Sequence, residues 1–339
     1  MEGEKNIMQE WTKDKEKKVL WKYRFLLTIR IIRVIFILLF IYAIYMMIIS
    51  IIYDQTNWGR KQEFQMKLAL DWTQAGNYGE VSEVTSGKIT PFFTQKIEFP
   101  LYQTIGKEEQ PVGTVKMKKT LLNSFSNFEI NYLNPSDSKR FTFYLPEDPR
   151  TGKTIKLSDT PEVWDTLDKI HEGTVANLAF STTSFLKPKE LLKQLENVDV
   201  DVLWMPLYAG ELKSIKKVDY TESGNGNVSV ETLGLSWARK TDDYQSSSLM
   251  KISKETISDN EKIMLANMEN LLDHESDTYI DRVLGLSHLE KRYNYVKENG
   301  FQVYGAVVTG PVKELLKLKN FPFVQGAELG EFEYWNWEG

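Results

Sequence analysis

The chain has 339 residues, 26% of them charged, with a formal net charge of −5 and no cysteine. Disulfides and thiolate-based zinc or nucleophile chemistry are therefore excluded, and three histidines without an assignable partner give no support to His-dependent acid–base catalysis. The charge is uneven: residues 1–53 are net basic and residues 54–339 net acidic, which argues against nucleic acid as a partner of the larger part.

Residues 1–33 read as a short tail. Asn6–Leu20 has a helical pattern that puts Ile7, Met8 and Trp11 on one face of a Lys-rich remainder. A solvated segment whose lysines meet anionic lipid headgroups fits the same residues. Val34–Tyr53 (VIFILLFIYAIYMMIISIIY) then runs for twenty residues without a charge. At about 1.5 Å per residue it spans the ~30 Å hydrocarbon core, so it reads as a transmembrane helix.

Lys13, Lys15, Lys17, Lys18, Lys22, Arg24, Arg30 and Arg33 precede the span, whereas only Arg60, Lys61 and Lys67 follow it closely. Positive charge stays inside, which predicts a cytoplasmic N-terminus and an extracytoplasmic remainder. Trp21, Tyr23 and Phe25 before the span, and Tyr53 and Trp58 after it, suit interfacial aromatic belts. The run is too long for a signal-peptide core and no small-x-small site follows it.

A membrane-proximal stretch comes next, with a helix predicted around Gln62–Ala75. Residues 88–145 read as β-rich, from KITPFFTQKIEF, QPVGTVKMKK, NFEINYL and RFTFYL. The turn-rich Pro146–Lys153 marks a domain boundary, giving two parts at 54–150 and 151–339.

The C-terminal part repeats a grammar. Strand Thr174–Thr182 leads through Pro188 into a helix with Leu191, Leu192 and Leu195 as its buried stripe, then to strand Val200–Tyr208. A long helical region, Ser258–Asn299, is capped by Ser258 and stopped by Gly300. Strand Val303–Gly310 then leads through Pro311 into a helix with Leu315, Leu316 and Leu318, and Val324–Trp337 ends in a strand. The pentapeptide KELLK sits in both helices, at Lys189–Lys193 and Lys313–Lys317, one residue out of step relative to the prolines. Two such units make a split βαβ, predicting an α+β fold with a ferredoxin-like, duplicated C-terminal part.

No motif carries chemistry. TGKT (Thr151–Thr154) has Glu147 where a phosphate loop needs glycine. Ser248–Lys251 (SxxK) and Ser258–Asn260 (SDN) lie too close together to face one cleft, and no KTG occurs. Asp273, His274, Glu275 and Asp277 form a charge run whose neighbours diverge on a helix, so no metal is expected there. Trp204, Trp335 and Trp337 suit core or edge packing, or else a stacking platform for a ligand.

The strings VANLAFSTTSFLKPKELLKQLENVDVDVLWMPLYAGE and VYGAVVTGPVKELLKLKN, with VQGAELGEFEYWNW, resemble the C-terminal domain of sigma factor regulators from low-GC Gram-positive bacteria. The span with VSEVTSGKITPFFTQKIEFPLYQTIG looks like their N-terminal region. The resemblance implies a membrane-bound anti-sigma factor for an extracytoplasmic-function sigma factor, with no enzymatic activity, cofactor or small-molecule substrate. It implies a tail that holds sigma, an anchoring helix in contact with membrane lipid, and an ectodomain that senses or docks, with room for a second membrane protein. The tail is shorter than the usual anti-sigma module and lacks a His/Cys zinc motif; Ile7, Met8 and Trp11 are its expected anchors. An envelope binding or scaffold protein that binds no sigma is the alternative.

Overall fold

Helix α1 (Lys13–Thr56) runs unbroken for 44 residues. It contains no glycine or proline, and its Leu, Ile, Lys and Arg residues between Leu20 and Val34 are sound helix formers. The two predicted helices therefore fuse into one rod of about 66 Å. It is the one helix among the described residues long and apolar enough to cross a membrane. The structure is a computed structural model that describes residues 13–79, 88–90, 94–120, 126–134 and 140–334. It divides into two compact units, residues 1–56 and residues 57–339.

The second unit starts at Asn57, whose φ of 49° is left-handed, a conformation that Asn tolerates better than most residues. Helix α2 (Trp58–Thr73) follows, and its residues 62–72 are buried on every side. Strands β1 (Asn77–Gly79), β2 (Lys88–Ile89), β3 (Thr94–Ile105), β4 (Glu108–Thr120) and β5 (Ser126–Tyr132) come next. They form an antiparallel sheet in the order β1-β3-β4-β5, with β2 also on β3. The β3–β4 turn uses Gly106 at a φ of 65°.

Arg140–Leu145, predicted as a strand, joins no sheet. Phe143 and Leu145 are buried as the alternation demands. The backbone N–H groups instead reach scattered partners: Tyr144 donates to Ser181 Oγ (3.0 Å) and Leu145 to the Val228 carbonyl (2.9 Å). A short hairpin, β6 (Glu147–Asp148) with β7 (Lys153–Thr154), and helix α3 (Pro161–Lys169) lead into the second sheet.

Its elements are β8 (Thr174–Leu186), α4 (Pro188–Gln194) and β9 (Asp201–Leu207). The hairpins β10 (Tyr220–Glu222) with β11 (Val228–Val230), and β13 (Ala238–Lys240) with β14 (Ser248–Met250), flank β12 (Leu233–Ser236). Three helices follow: α5 (Ile257–His274), α6 (Asp277–Arg282) and α7 (Leu289–Asn299). The chain closes with β15 (Val303–Pro311), α8 (Val312–Lys317) and β16 (Val324–Tyr334).

The sheet order is β12-β9-β15-β8-β16, with every neighbouring pair antiparallel. The two strand–helix–strand units interleave, because β15 lies between β8 and β9. KELLK occupies the same helical positions in both units: Lys189 is the second residue of α4 and Lys313 the second of α8. The slip is thus in the prolines, with Pro188 opening its helix and Pro311 standing one position before its own. Leu191, Leu192 and Leu315 are buried and Leu316 is half-buried. The matching glutamates accept backbone N–H bonds, Glu190 from Lys187 (3.3 Å) and Glu314 from Asp199 (3.1 Å).

The region expected as one helix from Ser258 to Asn299 is three. Thr256, not Ser258, precedes the first. Ser276 accepts a bond from Tyr279 N (3.3 Å) and starts the second. Gly285 (φ 67°) and His288 (φ 57°) turn the chain before the third, which Gly300 ends at a φ of 76°. A contiguous core joins both sheets and α2, through residues such as Leu68, Phe99, Leu178, Trp204 and Val307. The expectation of mixed helix and sheet after one apolar N-terminal helix is met.

Burial of that core predicts an alkaline limit. It raises the phenols of Tyr78, Tyr208, Tyr279 and Tyr304 above their ordinary 10.0. A raised acid is held neutral in the fold, so its contribution is fully present below pH 10 and is lost as pH rises beyond it. In a tyrosinate absorbance titration, these four of the sixteen tyrosines are expected to ionise only together with unfolding. Their ionisation in a chain that keeps its far-ultraviolet circular dichroism overturns the assignment.

Candidate functional site

Three charged residues of α2 share one helical face, because Glu63, Lys67 and Asp71 stand four apart. All three are buried. Lys67 Nζ pairs with Glu63 Oε1 at 2.8 Å and lies 5.0 Å from the centre of the Phe99 ring. Asp71 meets Arg239 of β13: Nε reaches Oδ2 at 2.6 Å and Nη2 reaches Oδ1 at 3.2 Å. Arg239 also donates to the Gly79 carbonyl (2.7 Å) and to Ser247 Oγ (3.1 Å). Burial pushes the Asp71 carboxyl above its ordinary range, while the Arg239 guanidinium, the Gly79 N–H and the Lys67 charge pull it down. The Trp204 indole fixes the same turn, donating to the Asp71 carbonyl at 3.2 Å.

At its other end α2 holds the C-terminus of α5. Gln65 Nε2 donates to Glu275 Oε1 (2.8 Å), and Lys61 Nζ lies 3.0 Å from the same oxygen. A second buried pair joins Arg292 of α7 to Glu211, whose other oxygen accepts from Ala209 N (2.7 Å). Burial raises the Glu211 carboxyl, against the pull of Arg292. In each of these sites charge meets charge: Lys67 with Glu63, Arg239 with Asp71, Lys61 with Glu275 and Arg292 with Glu211. They are fasteners: the Asp71 and Lys61 contacts tie α2 to β13 and to the end of α5, and the Arg292 pair ties α7 to the loop after β9.

Beside the end of α2 lies a cleft of about 640 Å³, walled by Gln74, Phe128, Arg140, Phe141, Glu231 and Thr232 among others. Its size is that of a small-ligand or peptide site.

The sequence candidates are dispersed. Ile7, Met8 and Trp11, and also Trp335 and Trp337, lie outside the described residues. Trp204 is buried in the core, at the wall of that cleft. Ser248 is on β14, while Lys251 lies over the Trp237 ring at 4.9 Å; Ser258 is an exposed residue of α5. His274 bonds the Asn270 carbonyl (2.9 Å), and Glu275 turns to α2. Among the described residues, no three His, Asp or Glu are grouped to hold a metal ion. The charged face of α2 was missed, although EFQMKLALD carries the spacing; nothing local in a sequence marks such charges as buried.

Comparison with known proteins gives two family matches. The model described as sigma factor regulator N-terminal matches residues 17–110, and that described as sigma factor regulator C-terminal matches residues 167–331. A curated relative, the probable anti-sigma-M factor YhdL of Bacillus subtilis (strain 168), is 25% identical over 245 residues. The match covers 72% of this chain and 62% of the relative, so the chain spans less than two thirds of that protein's length. No solved structure matches.

Proposed function

This chain belongs to the sigma factor regulator family, and from that premise we propose that it is a single-pass membrane anti-sigma factor without enzymatic activity. Its N-terminal segment, with Ile7, Met8 and Trp11 among the contacts, sequesters an extracytoplasmic-function sigma factor in the cytoplasm. The second unit lies outside and senses or docks, with the cleft beside the end of α2 as the place to do so. The observation that carries the reading is α1, a single apolar helix whose basic residues crowd its N-terminal side.

In the same reading, the C-terminal sheet is a ferredoxin-like pair of βαβ units. The interleaved antiparallel order supports this. Residues 54–150 and 151–339 are then two regulator parts that share one core, and the lipid and a second membrane protein are further partners.

The test is binding of a purified extracytoplasmic-function sigma factor by the full chain in detergent. We expect co-purification, and a loss of about tenfold for Trp11→Ala. If the chain binds no sigma factor, the reading fails. The cleft favours a second reading, an envelope scaffold protein, under which deletion of residues 1–33 leaves function intact.

A further inference from the structure

Helix α1 carries apolar side chains further than a bilayer can cover. From Val34 to Ile52, at about 1.5 Å per residue, it already fills the ~30 Å hydrocarbon core. Arg30 and Arg33 mark the inner boundary, since a guanidinium deep in the core is costly. A headgroup layer of about 7 Å takes roughly five more residues, to Ile29. Val19–Thr28 remains beyond it, about 15 Å of helix.

That stretch is not a polar stalk. Val19, Leu20, Trp21, Tyr23, Phe25, Leu26 and Leu27 are each 46–75% exposed. At about 100° per residue they point all round the helix, and a helix apolar on all sides is stable only when surrounded. Tilt does not supply the cover. Fitting Val19–Ile52, about 51 Å, into a ~30 Å core needs a tilt of roughly 54°, beyond the usual limit of about 40°. It would also carry Arg30 and Arg33 towards the midplane. Lying flat in the interface requires a bend between Thr28 and Val34, where the helix is unbroken and holds no glycine or proline.

The cover is therefore protein, and its chemistry follows from the flanks. Lys15, Lys17, Lys18, Lys22 and Arg24 surround the apolar stretch, against Asp14 and Glu16 alone. A second copy would bring these basic flanks together, so a partner with acidic groups is favoured. Trp21 and Phe25, one turn apart, stack with ring centres 5.5 Å apart and planes 8° from parallel, a preformed aromatic anchor of the kind that dominates interfaces. We propose that Val19–Leu27 of α1 is the principal docking surface for the sigma factor, which encloses it in an apolar groove with an acidic rim. Trp21 and Phe25 are the anchors. This rests on the reading that the N-terminal segment is cytoplasmic and binds a sigma factor.

The experiment uses the full chain in nanodiscs of phosphatidylglycerol and phosphatidylcholine, titrated with a purified extracytoplasmic-function sigma factor. The double variant Trp21→Ala/Phe25→Ala is expected to bind about a hundredfold more weakly, and Trp21→Phe within about fivefold of the unaltered chain. A photo-crosslinking amino acid at position 21, with every other residue unchanged, is expected to capture the sigma factor. Two results overturn the surface while the unaltered chain binds sigma: the double variant binding within about threefold, or crosslinks only to lipid or to a second copy. No binding by the unaltered chain overturns the underlying reading, and the surface with it.

Discussion

Arg239→Ala is expected to destabilise the folded chain by about 3–5 kcal/mol, the usual cost of removing one partner of a buried pair. The substitution strands the Asp71 carboxylate in a site from which water is excluded, and it also unpairs the Gly79 carbonyl and Ser247. Denaturation of the full chain in detergent, followed by tryptophan fluorescence, measures it. Without the guanidinium, burial raises Asp71 further above its ordinary 3.8. The penalty from this group is then absent below pH 3.8 and grows as pH rises through the raised value, so the defect relative to the unaltered chain is deeper at neutral pH than in acid. The charge-free pair Asp71→Leu/Arg239→Leu should recover much of the loss, since apolar replacement of a buried ion pair is often neutral. A loss below about 1 kcal/mol for Arg239→Ala would show that the carboxylate finds water or another cation.

Trp204→Ala is the second large effect, about 3–5 kcal/mol by the same measurement. The side chain is 2% exposed on β9. Its ring lies 5.3 Å from that of Phe143, and it fills a space that exists only because residue 234 is glycine: a Cβ there would stand 1.9 Å from the ring. Because Trp204 and Arg239 both hold Asp71, one by its carbonyl and one by its carboxylate, the two substitutions should not add. The double variant is expected to lose less than the sum; strict additivity would mean that they fasten α2 independently.

Local pattern was enough to find the apolar span within α1, the long strands β3 and β4, and the two KELLK units. Their signals are hydrophobic runs, alternation and proline, each confined to a few neighbouring residues. The glycines of VYGAVVTGP, part of the family resemblance, also have a plain physical cause. A Cβ at residue 305 would lie 2.3 Å from the Phe180 carbonyl oxygen, and one at residue 310 would lie 2.7 Å from that of Asp199. What the sequence concealed depends on distant partners. Arg239 and Asp71 are 168 residues apart, and nothing around either shows that it is buried. Arg140–Leu145 has the alternation of a strand but lacks a neighbouring strand to pair with. The helical region past Ser258 breaks because Ser276 is better used as a cap than as an interior residue, a choice that periodicity alone does not resolve. The proposed sigma-docking stretch was visible as basic and aromatic residues. Only the continuity of α1 shows that they stand on a rod that outruns the bilayer.

The interleaving of the second sheet sets a schedule for synthesis. Among the described residues β8 pairs with β15 and β16, both made after it, and β9 pairs with β12 and β15. More than a hundred residues separate β8 from β15, a wait of about 10 s at ordinary elongation rates. The centre of the second sheet stays open until β15 has been made. For a unit that we place across the membrane from the ribosome, late closure is an advantage: a channel can pass a thread but not a closed sheet. A stop codon shortly before β15 would leave β8 and β9 without the strand that joins them.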